Sequence, residues 1–344
     1  MESKKNIAFV GTEFQQNILC TISMQENIKF NLIFIKDKIE INEKLKNITE
    51  KIIIFEDIPY SWKNLFTYLR SFKKLKKKLN NNYSYNVYTW SIENPIIKLI
   101  LNKYEVDSIN IFEDGMGSYV QRNINSFILK DYILMKGMNF LLNLFSGRFF
   151  NNYKIDNTYA LFGGAFPYLK YKKQIILDHN IFKKVLEKNI KKSHINLPDS
   201  SVIFLQQSLV EMNILSEQEY IDLHKKIIHY FVKRCNLKEV IWKLHPRTNM
   251  KNEKERLKRI VGDYDIKIKL LDKENIENLL IAYSNKNLKI YSFYSSGLYV
   301  SKCLLNKHIY AFESKKLSTK ILTLNQVYKF FQNIGIKVIK EKNE

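Results

Sequence analysis

The 344-residue chain has few cysteines, no proline-, glycine- or serine-rich stretch and no long uncharged apolar run. Its three cysteines, Cys20, Cys235 and Cys303, are far apart and lack metal-ligand spacing, which argues against a disulfide scaffold and fits a reducing compartment. No internal repeat is visible. The most apolar segment, Ile133 to Phe150, is broken by Lys136, Asn139, Asn143 and Arg148, whereas a membrane span needs about 20 nearly uncharged residues. Nor is there a signal peptide, because Met1 to Asn6 runs straight into a short strand-like segment, Ile7–Val10. The chain reads as cytoplasmic, at most resting on the inner face of a membrane.

Arginine is scarce as well, with 7 among 56 cations, against 34 acidic residues and a formal net charge of +22. AT-rich coding produces the same lysine, isoleucine and asparagine excess, so part of the charge is discounted. What remains favours an anionic partner: phosphate, an acidic sugar, nucleic acid or a lipid surface. At 45% apolar and 26% charged residues the chain is globular, and its length suits two domains.

Short β-branched runs alternate with longer helical ones, the sign of α/β domains with parallel sheets. Strands are expected at Ile7–Val10, Phe30–Ile35, Lys51–Phe55, Asn86–Trp90 and Ser108–Phe112, then at Ser201–Leu205, Glu239–Leu244, Ile266–Leu271, Leu288–Tyr291 and His308–Phe312. Helices are expected at Glu217–Lys233, Asn252–Val261, Ile276–Ser284 and Gly297–Leu305, with a Lys-rich one from Trp62 to Asn80. A break at Leu197-Pro198-Asp199-Ser200 divides the chain into residues 1–197 and 198–344, read as two Rossmann-like domains facing one another across a ligand cleft.

Three constellations end expected strands. Glu113-Asp114-Gly115 places two carboxylates at a strand's carboxyl end, with glycine allowing a sharp turn. Crowding and partial burial raise one carboxylate, which suits a general base, although an ordinary acidic turn looks the same in sequence. Lys243-Leu244-His245-Pro246-Arg247 follows a second-half strand, and Pro246 holds His245 extended beside two cations, an arrangement suited to a departing phosphate. Tyr294-Ser295-Ser296-Gly297 opens a late helix, where serine serves either as a plain cap or as part of an anion site. Glu277 either caps its helix or accepts from a ribose diol, and Gly11-Thr12 and Gln206-Gln207 are further polar strand ends.

Other features read as structural. His179, His194, His224, His229 and His308 lack partners at metal spacing. The Lys73–Lys78 run is a solvated helix face, and Gly163-Gly164 is a turn rather than a nucleotide-binding fingerprint.

The order of these pieces resembles the bacterial sialyltransferases of the two-domain GT-B type, glycosyltransferase families 38, 52 and 80. Their D/E-D/E-G, HP and Ser/Thr-rich motifs match Glu113-Asp114-Gly115, His245-Pro246 and Ser295-Ser296. Family 52 looks closest, on Thr12 and Gln15 after the first strand and Phe204-Leu205-Gln206-Gln207 entering the second domain; the proline of the family's Thr-Pro-Leu-Gln turn is missing. The resemblance implies inverting transfer of N-acetylneuraminic acid from CMP-N-acetylneuraminic acid to a glycan hydroxyl, on lipooligosaccharide or a capsular polysaccharide, without a metal or other cofactor.

Under that resemblance Glu113 or Asp114 deprotonates the acceptor, with Gly11, Thr12 and Gly115 on the acceptor side. His245 meets the CMP phosphate, and Lys243, Pro246, Gln207, Glu277, Ser295, Ser296 and Gly297 hold the donor. The first domain then takes the acceptor and the second the CMP-sugar. The implied partners are a nucleotide-sugar donor, a glycan or glycolipid acceptor and an anionic membrane face, with a homodimer left open and no nucleic acid. Two rivals remain on the same fold, a CDP-glycerol glycerophosphotransferase and a CMP-Kdo transferase; a third is a non-catalytic basic anion-binding protein.

Overall fold

The computed structural model describes residues 4–58, 64–120, 153–187, 197–198, 200–271, 276–284, 286–305 and 308–341. The apolar segment Ile133–Phe150 and His194 lie outside the described residues. The chain forms two compact units, Met1–Val185 and Leu186–Glu344, so the division falls N-terminal to the Leu197-Pro198 break.

In the first unit seven strands form one sheet: β1 (Lys5–Val10), β2 (Leu32–Lys36), β3 (Ile52–Phe55), β4 (Tyr85–Thr89), β5 (Val106–Phe112), β6 (Ile155–Ala160) and β7 (Tyr171–Ile176). Their order is β3-β2-β1-β4-β5-β6-β7, and every pairing is parallel. Helices α1 (Glu13–Glu26), α2 (Glu43–Ile48), α3 (Leu65–Lys76), α4 (Pro95–Lys103) and α5 (His179–Glu187) lie between or after them. The second unit holds β8 (Ser200–Leu205), β9 (Glu239–Lys243), β10 (Lys267–Leu271), β11 (Asn287–Ser292), β12 (Ile309–Phe312) and β13 (Lys337–Ile339), in the order β10-β9-β8-β11-β12-β13. All of these are parallel too. Its helices are α6 (Glu217–Lys233), α7 (Met250–Val261), α8 (Ile276–Ala282), α9 (Ser296–Leu305), α10 (Lys315–Lys320) and α11 (Leu324–Asn333).

Both units are doubly wound, Rossmann-like α/β folds, as the alternation of strand and helix patterns leads one to expect. In each, the first strand is central and the winding reverses beside it, between β1 and β4 and between β8 and β11. In such sheets ligands bind outside the carboxyl ends of the strands at that reversal.

Near-continuous apolar runs explain why the central strands form: Ile7–Val10 and Ile33–Ile35 are fully buried. In the second unit Phe204 packs on Trp242 at 4.4 Å, with Phe231, Phe293 and Phe312 around them. Each such ring contributes roughly 2–3 kcal/mol by leaving water. Capping fixes the helix starts: Asn94 accepts from the Ile96 and Ile97 N–H groups before Pro95, and Ser216 with Glu219 forms a reciprocal capping box. Asparagine also has a structural task. Asn6, Asn86, Ser108, Asn110 and Asn157 hydrogen-bond side chain to side chain across β1, β4, β5 and β6 at 2.8–3.0 Å.

Candidate functional site

The acidic turn of the first unit divides its two carboxylates between different environments. Glu113, directly after β5, is fully buried. It accepts hydrogen bonds from the Tyr119 hydroxyl and from the Leu161 N–H at 3.0 Å. Burial pushes its carboxyl up to about 8; the two hydrogen bonds oppose the rise, and the Asp114 charge adds to it. Asp114 is exposed, and its carboxylate accepts from the Gln15 side-chain amide. Its own N–H donates to Ser118 Oγ at 3.0 Å. Gly115 adopts φ 92, a left-handed conformation that glycine allows cheaply, and so delivers the chain into the short 3-10 turn Met116–Tyr119 that carries Ser118 and Tyr119.

Gln15 ties this turn to the end of β1. Its side-chain oxygen accepts from the Gly11 N–H while its amide donates to Asp114. Thr12 caps α1 by accepting from the Gln15 N–H at 3.2 Å, which fixes the helix start from which Gln15 reaches out. Gly11, Thr12, Glu113, Asp114 and Gly115 therefore form one cluster, with Gln15 as its hinge. A side chain on Gly11 would press on Gln15 Oε1 at 3.3 Å and on the Lys36 stem at 3.2 Å.

In the second unit the His-Pro turn is built on Gln206. Gln206 is buried after β8; its side-chain oxygen accepts from the His245 N–H at 2.9 Å and from Thr248 Oγ1 at 3.0 Å. Its amide donates to the Gln207 carbonyl and to the Tyr220 hydroxyl. Behind it Tyr220 donates to Glu253 at 2.6 Å, as does Trp242 at 3.0 Å. Arg256 closes the chain, pairing with Glu211 at 2.7 Å, Glu217 at 3.1 Å and Glu253 at 3.4 Å. Burial raises the Glu253 carboxyl against these partners.

His245 itself is half-buried, and its Nδ1 accepts from the Arg247 N–H at 3.2 Å. In the neutral ring the proton then sits on Nε2, which meets no hydrogen-bond partner among the described residues. Burial and the neighbouring Arg247 and Lys243 charges lower the imidazole pKa, with Glu211 opposing. Lys243 is largely buried and donates to the Leu244 carbonyl at 2.7 Å. Pro246 is exposed at the turn.

The end of β11 meets the end of β8 through Gln207, whose side-chain oxygen accepts from the Tyr294 N–H at 3.3 Å. Ser295 acts as a cap: its hydroxyl accepts from the Gly297 N–H at 3.1 Å and its carbonyl from the Leu298 N–H at 3.0 Å. Ser296 opens α9 and is exposed. Gly297 permits close helix–strand packing, since a Cβ there would stand 2.7 Å from Leu205 Cδ1. That same Cβ would lie 3.7 Å from Ile276, so α8, and with it Glu277, starts beside this helix end.

Sequence reasoning missed Glu253, Arg256 and Tyr220, whose pairing crosses from α7 to α6. The metal-free expectation also took the chain to hold no Asp-x-Asp pair, and that is wrong: Asp263-Tyr264-Asp265 is one. That triplet precedes β10, at the amino end of the strand, and Asp265 pairs with Lys238. Among the described residues no group of three or more His, Cys, Asp or Glu is arranged to hold a metal. His224 is walled in by Phe204, Tyr220, Trp242 and Phe293, and burial drops it to about 3. It is a neutral core histidine.

A family model described as alpha-2,8-polysialyltransferase matches residues 6–311. No curated protein sequence matches the chain. Among solved structures, a Listeria monocytogenes protein assigned as a UDP-N-acetylglucosamine 2-epimerase aligns with TM-score 0.55 at 11% identity, over 96% of this chain and 88% of that one. S. aureus MnaA, solved with UDP, aligns with TM-score 0.51 at 13% identity, over 96% of this chain and 87% of its own. At these identities the likeness is one of fold, the α/β, GT-B-like class with two Rossmann-like domains.

Proposed function

Because the chain belongs to the alpha-2,8-polysialyltransferase family, and is thus a glycosyltransferase of the sialyltransferase type, we propose that it moves N-acetylneuraminic acid from CMP-N-acetylneuraminic acid onto a glycan already ending in sialic acid. The family match over residues 6–311 carries the reaction class. The geometry of the two turns supports the division of labour.

In this reading Asp114 is the base. It is exposed and oriented by Gln15, whereas Glu113 is enclosed with both oxygens engaged. The acceptor hydroxyl gives its proton to Asp114 as its oxygen attacks the anomeric carbon of the donor. The bond from that carbon to the phosphate oxygen breaks, CMP leaves with the electron pair, and the configuration inverts. His245 Nε2–H donates to the leaving phosphate. Its lowered pKa keeps it neutral until an anion arrives, so the charge-assisted bond forms only with the donor phosphate present. Lys243 and the start of α9 add positive potential, and Ser296 and Glu277 offer polar contacts to phosphate and ribose. No metal takes part in the proposed step.

The family 52 features become positioning elements here: Gln15 for the base, Gln206 and Gln207 for the donor side. The acceptor is proposed to sit on a lipid-linked glycan. Exposed Arg70, Lys73, Lys74, Lys76, Lys77 and Lys78 on and after α3, with Phe66 79% exposed, offer an anionic surface a basic face with one apolar anchor. No helix among the described residues is long and apolar enough to cross a membrane.

The test is CMP release and product analysis with CMP-N-acetylneuraminic acid, CMP-Kdo and CDP-glycerol in parallel, with an oligosialic acceptor and a chelator present. We expect turnover of the first donor only, α2,8-linked product, and a loss of at least a hundredfold in His245→Ala. Turnover of CDP-glycerol alone, or an unimpaired His245→Ala enzyme, overturns the reading.

A further inference from the structure

We propose that Lys36 and Trp90, beside Asp114, form the subsite for the terminal sugar of the acceptor and hold that sugar's carboxylate. The inference rests on the transferase reading above and adds what selects its acceptor.

The sheet order brings the two residues together. Lys36 is the last residue of β2, Gly11 follows β1 and Trp90 follows β4, and these three strands are neighbours in the order β2-β1-β4. All three positions are carboxyl ends, at the reversal of winding where open α/β sheets take ligands. Gly11 has no side chain, and the Lys36 stem lies across it: a Cβ at Gly11 would stand 3.2 Å from both Cδ and Cε of Lys36. The ammonium thereby reaches the indole, 5.4 Å from its centroid. The same Gly11 donates its N–H to Gln15, which holds Asp114. Contact is therefore continuous from Trp90 through Lys36, Gly11 and Gln15 to the proposed base.

The ammonium is also preorganised. Asp57 binds Lys36 Nζ at 2.8 Å, and the Asp57 N–H is itself held by Asp37 Oδ1 at 2.8 Å. An ammonium has three protons. Lys36 keeps 22% of its side chain exposed and Asp57 53%, so the pair is open to solvent. An indole ring beside a fixed cation suits an acidic pyranose: the apolar C–H face of the sugar lies on the ring, and its carboxylate takes a remaining N–H of the ammonium. A neutral terminal sugar gains the ring contact alone. The site would thus favour acceptors that end in sialic acid, the product of each preceding transfer.

The decisive measurement compares an oligosialic acid acceptor with the same oligomer methyl-esterified at its terminal carboxyl, using the full chain and CMP-N-acetylneuraminic acid. The wild-type protein should prefer the free acid through KM by roughly ten- to a hundredfold, the range of a hydrogen bond to a charged group. Lys36→Gln should bring that ratio close to one, and Lys36→Arg should restore part of it. A general loss of fold lowers use of both acceptors, so the ratio is read where Lys36→Gln still uses the methyl ester as the wild type does, and an unchanged ratio there overturns the inference. Binding supplies a second reading that needs no turnover: the oligomer should quench intrinsic tryptophan fluorescence in the wild type, and Trp90→Phe should remove the quench. Quenching that persists in Trp90→Phe also overturns it. Failure of the wild-type protein to consume CMP-N-acetylneuraminic acid with any acceptor refutes the transferase reading instead, and is told apart by the intact fluorescence response.

Discussion

Glu113→Gln separates the two carboxylates of the acidic turn. Glu113 is fully buried, and its carboxyl stands at about 8 against an ordinary 4.5. Between those values the folded chain keeps a proton that the unfolded chain has released, so stability falls as pH rises through the interval. The contribution is complete below about 4.5 and gone above about 8. At about 1.4 kcal/mol per pH unit the fall is on the order of 5 kcal/mol. Glutamine is uncharged at every pH; its oxygen can accept from the Leu161 N–H, and its amide can donate to the Tyr119 hydroxyl once that hydroxyl turns from the bond it donates to Glu113. In urea unfolding at pH 5.5, 7 and 8.5, the first unit of Glu113→Gln should lose most of the pH slope and be the more stable protein at pH 8.5. Transfer should stay within about tenfold of wild type, because the substituted group is not the base. Asp114→Asn should behave oppositely, keeping the slope and losing a hundredfold or more in transfer, the range of a general base. A folded Glu113→Gln protein that keeps the slope and has no activity, beside an active Asp114→Asn, would refute the assignment.

Two further outcomes follow from the second unit and from α3. Gln206→Leu removes the acceptor shared by the His245 N–H and Thr248 Oγ1 and the donor to Tyr220. Stranding these buried groups should cost roughly 2–4 kcal/mol in urea unfolding, and donor KM should rise as the His-Pro turn loosens; unchanged stability would show that water replaces the amide at no cost. Lys73→Glu combined with Lys77→Glu should abolish salt-sensitive sedimentation with vesicles containing anionic lipid, at about 1 kcal/mol per lysine near the surface. Equal sedimentation with neutral vesicles would remove the membrane role from this helix.

Much of the fold is legible because the central strands advertise themselves. A strand buried on both faces must be apolar through its middle, and Ile7–Val10, Val202–Leu205 and Val240–Trp242 can be read for that reason, although the expected Glu239–Leu244 runs one residue past the strand. The Glu217–Lys233 helix is read to the residue, since its Ser216–Glu219 capping box and Lys233 bracket it. The strands that escape are different in kind. Ile155–Ala160 is written Ile-Asp-Asn-Thr-Tyr-Ala and Tyr171–Ile176 carries two lysines, because both lie toward the solvated end of the sheet. Their polar residues serve the ladder itself, with Asn157 joining the amide row and Asp156 accepting from the Ile109 N–H at 3.1 Å. Lys337–Ile339 has three residues and shows no period.

The site is legible in halves. Residues that end a strand and carry a reactive group stand out one motif at a time, as Glu113-Asp114-Gly115 and His245-Pro246 do. Residues that matter through sheet order do not, because order is a long-range property. Lys36, Gly11 and Trp90 become neighbours only when β1 is placed between β2 and β4. Gln206 reads as one more polar residue until β9 is set beside β8 and brings the His245 N–H to its oxygen. Amides recur in these roles for a physical reason. A glutamine can accept from one group and donate to another without adding charge, so it can join the ends of two strands at little desolvation cost. Gln15 spans Gly11 and Asp114, and Gln207 reaches across from β8 to the Tyr294 N–H after β11. A lysine in either place would bring a charge and no acceptor, and would leave the Gly11 or Tyr294 N–H without its partner. The glutamines that follow the first strand of each unit are therefore the residues on which the orientation of the reactive groups depends, although none of them needs to touch the atoms that react.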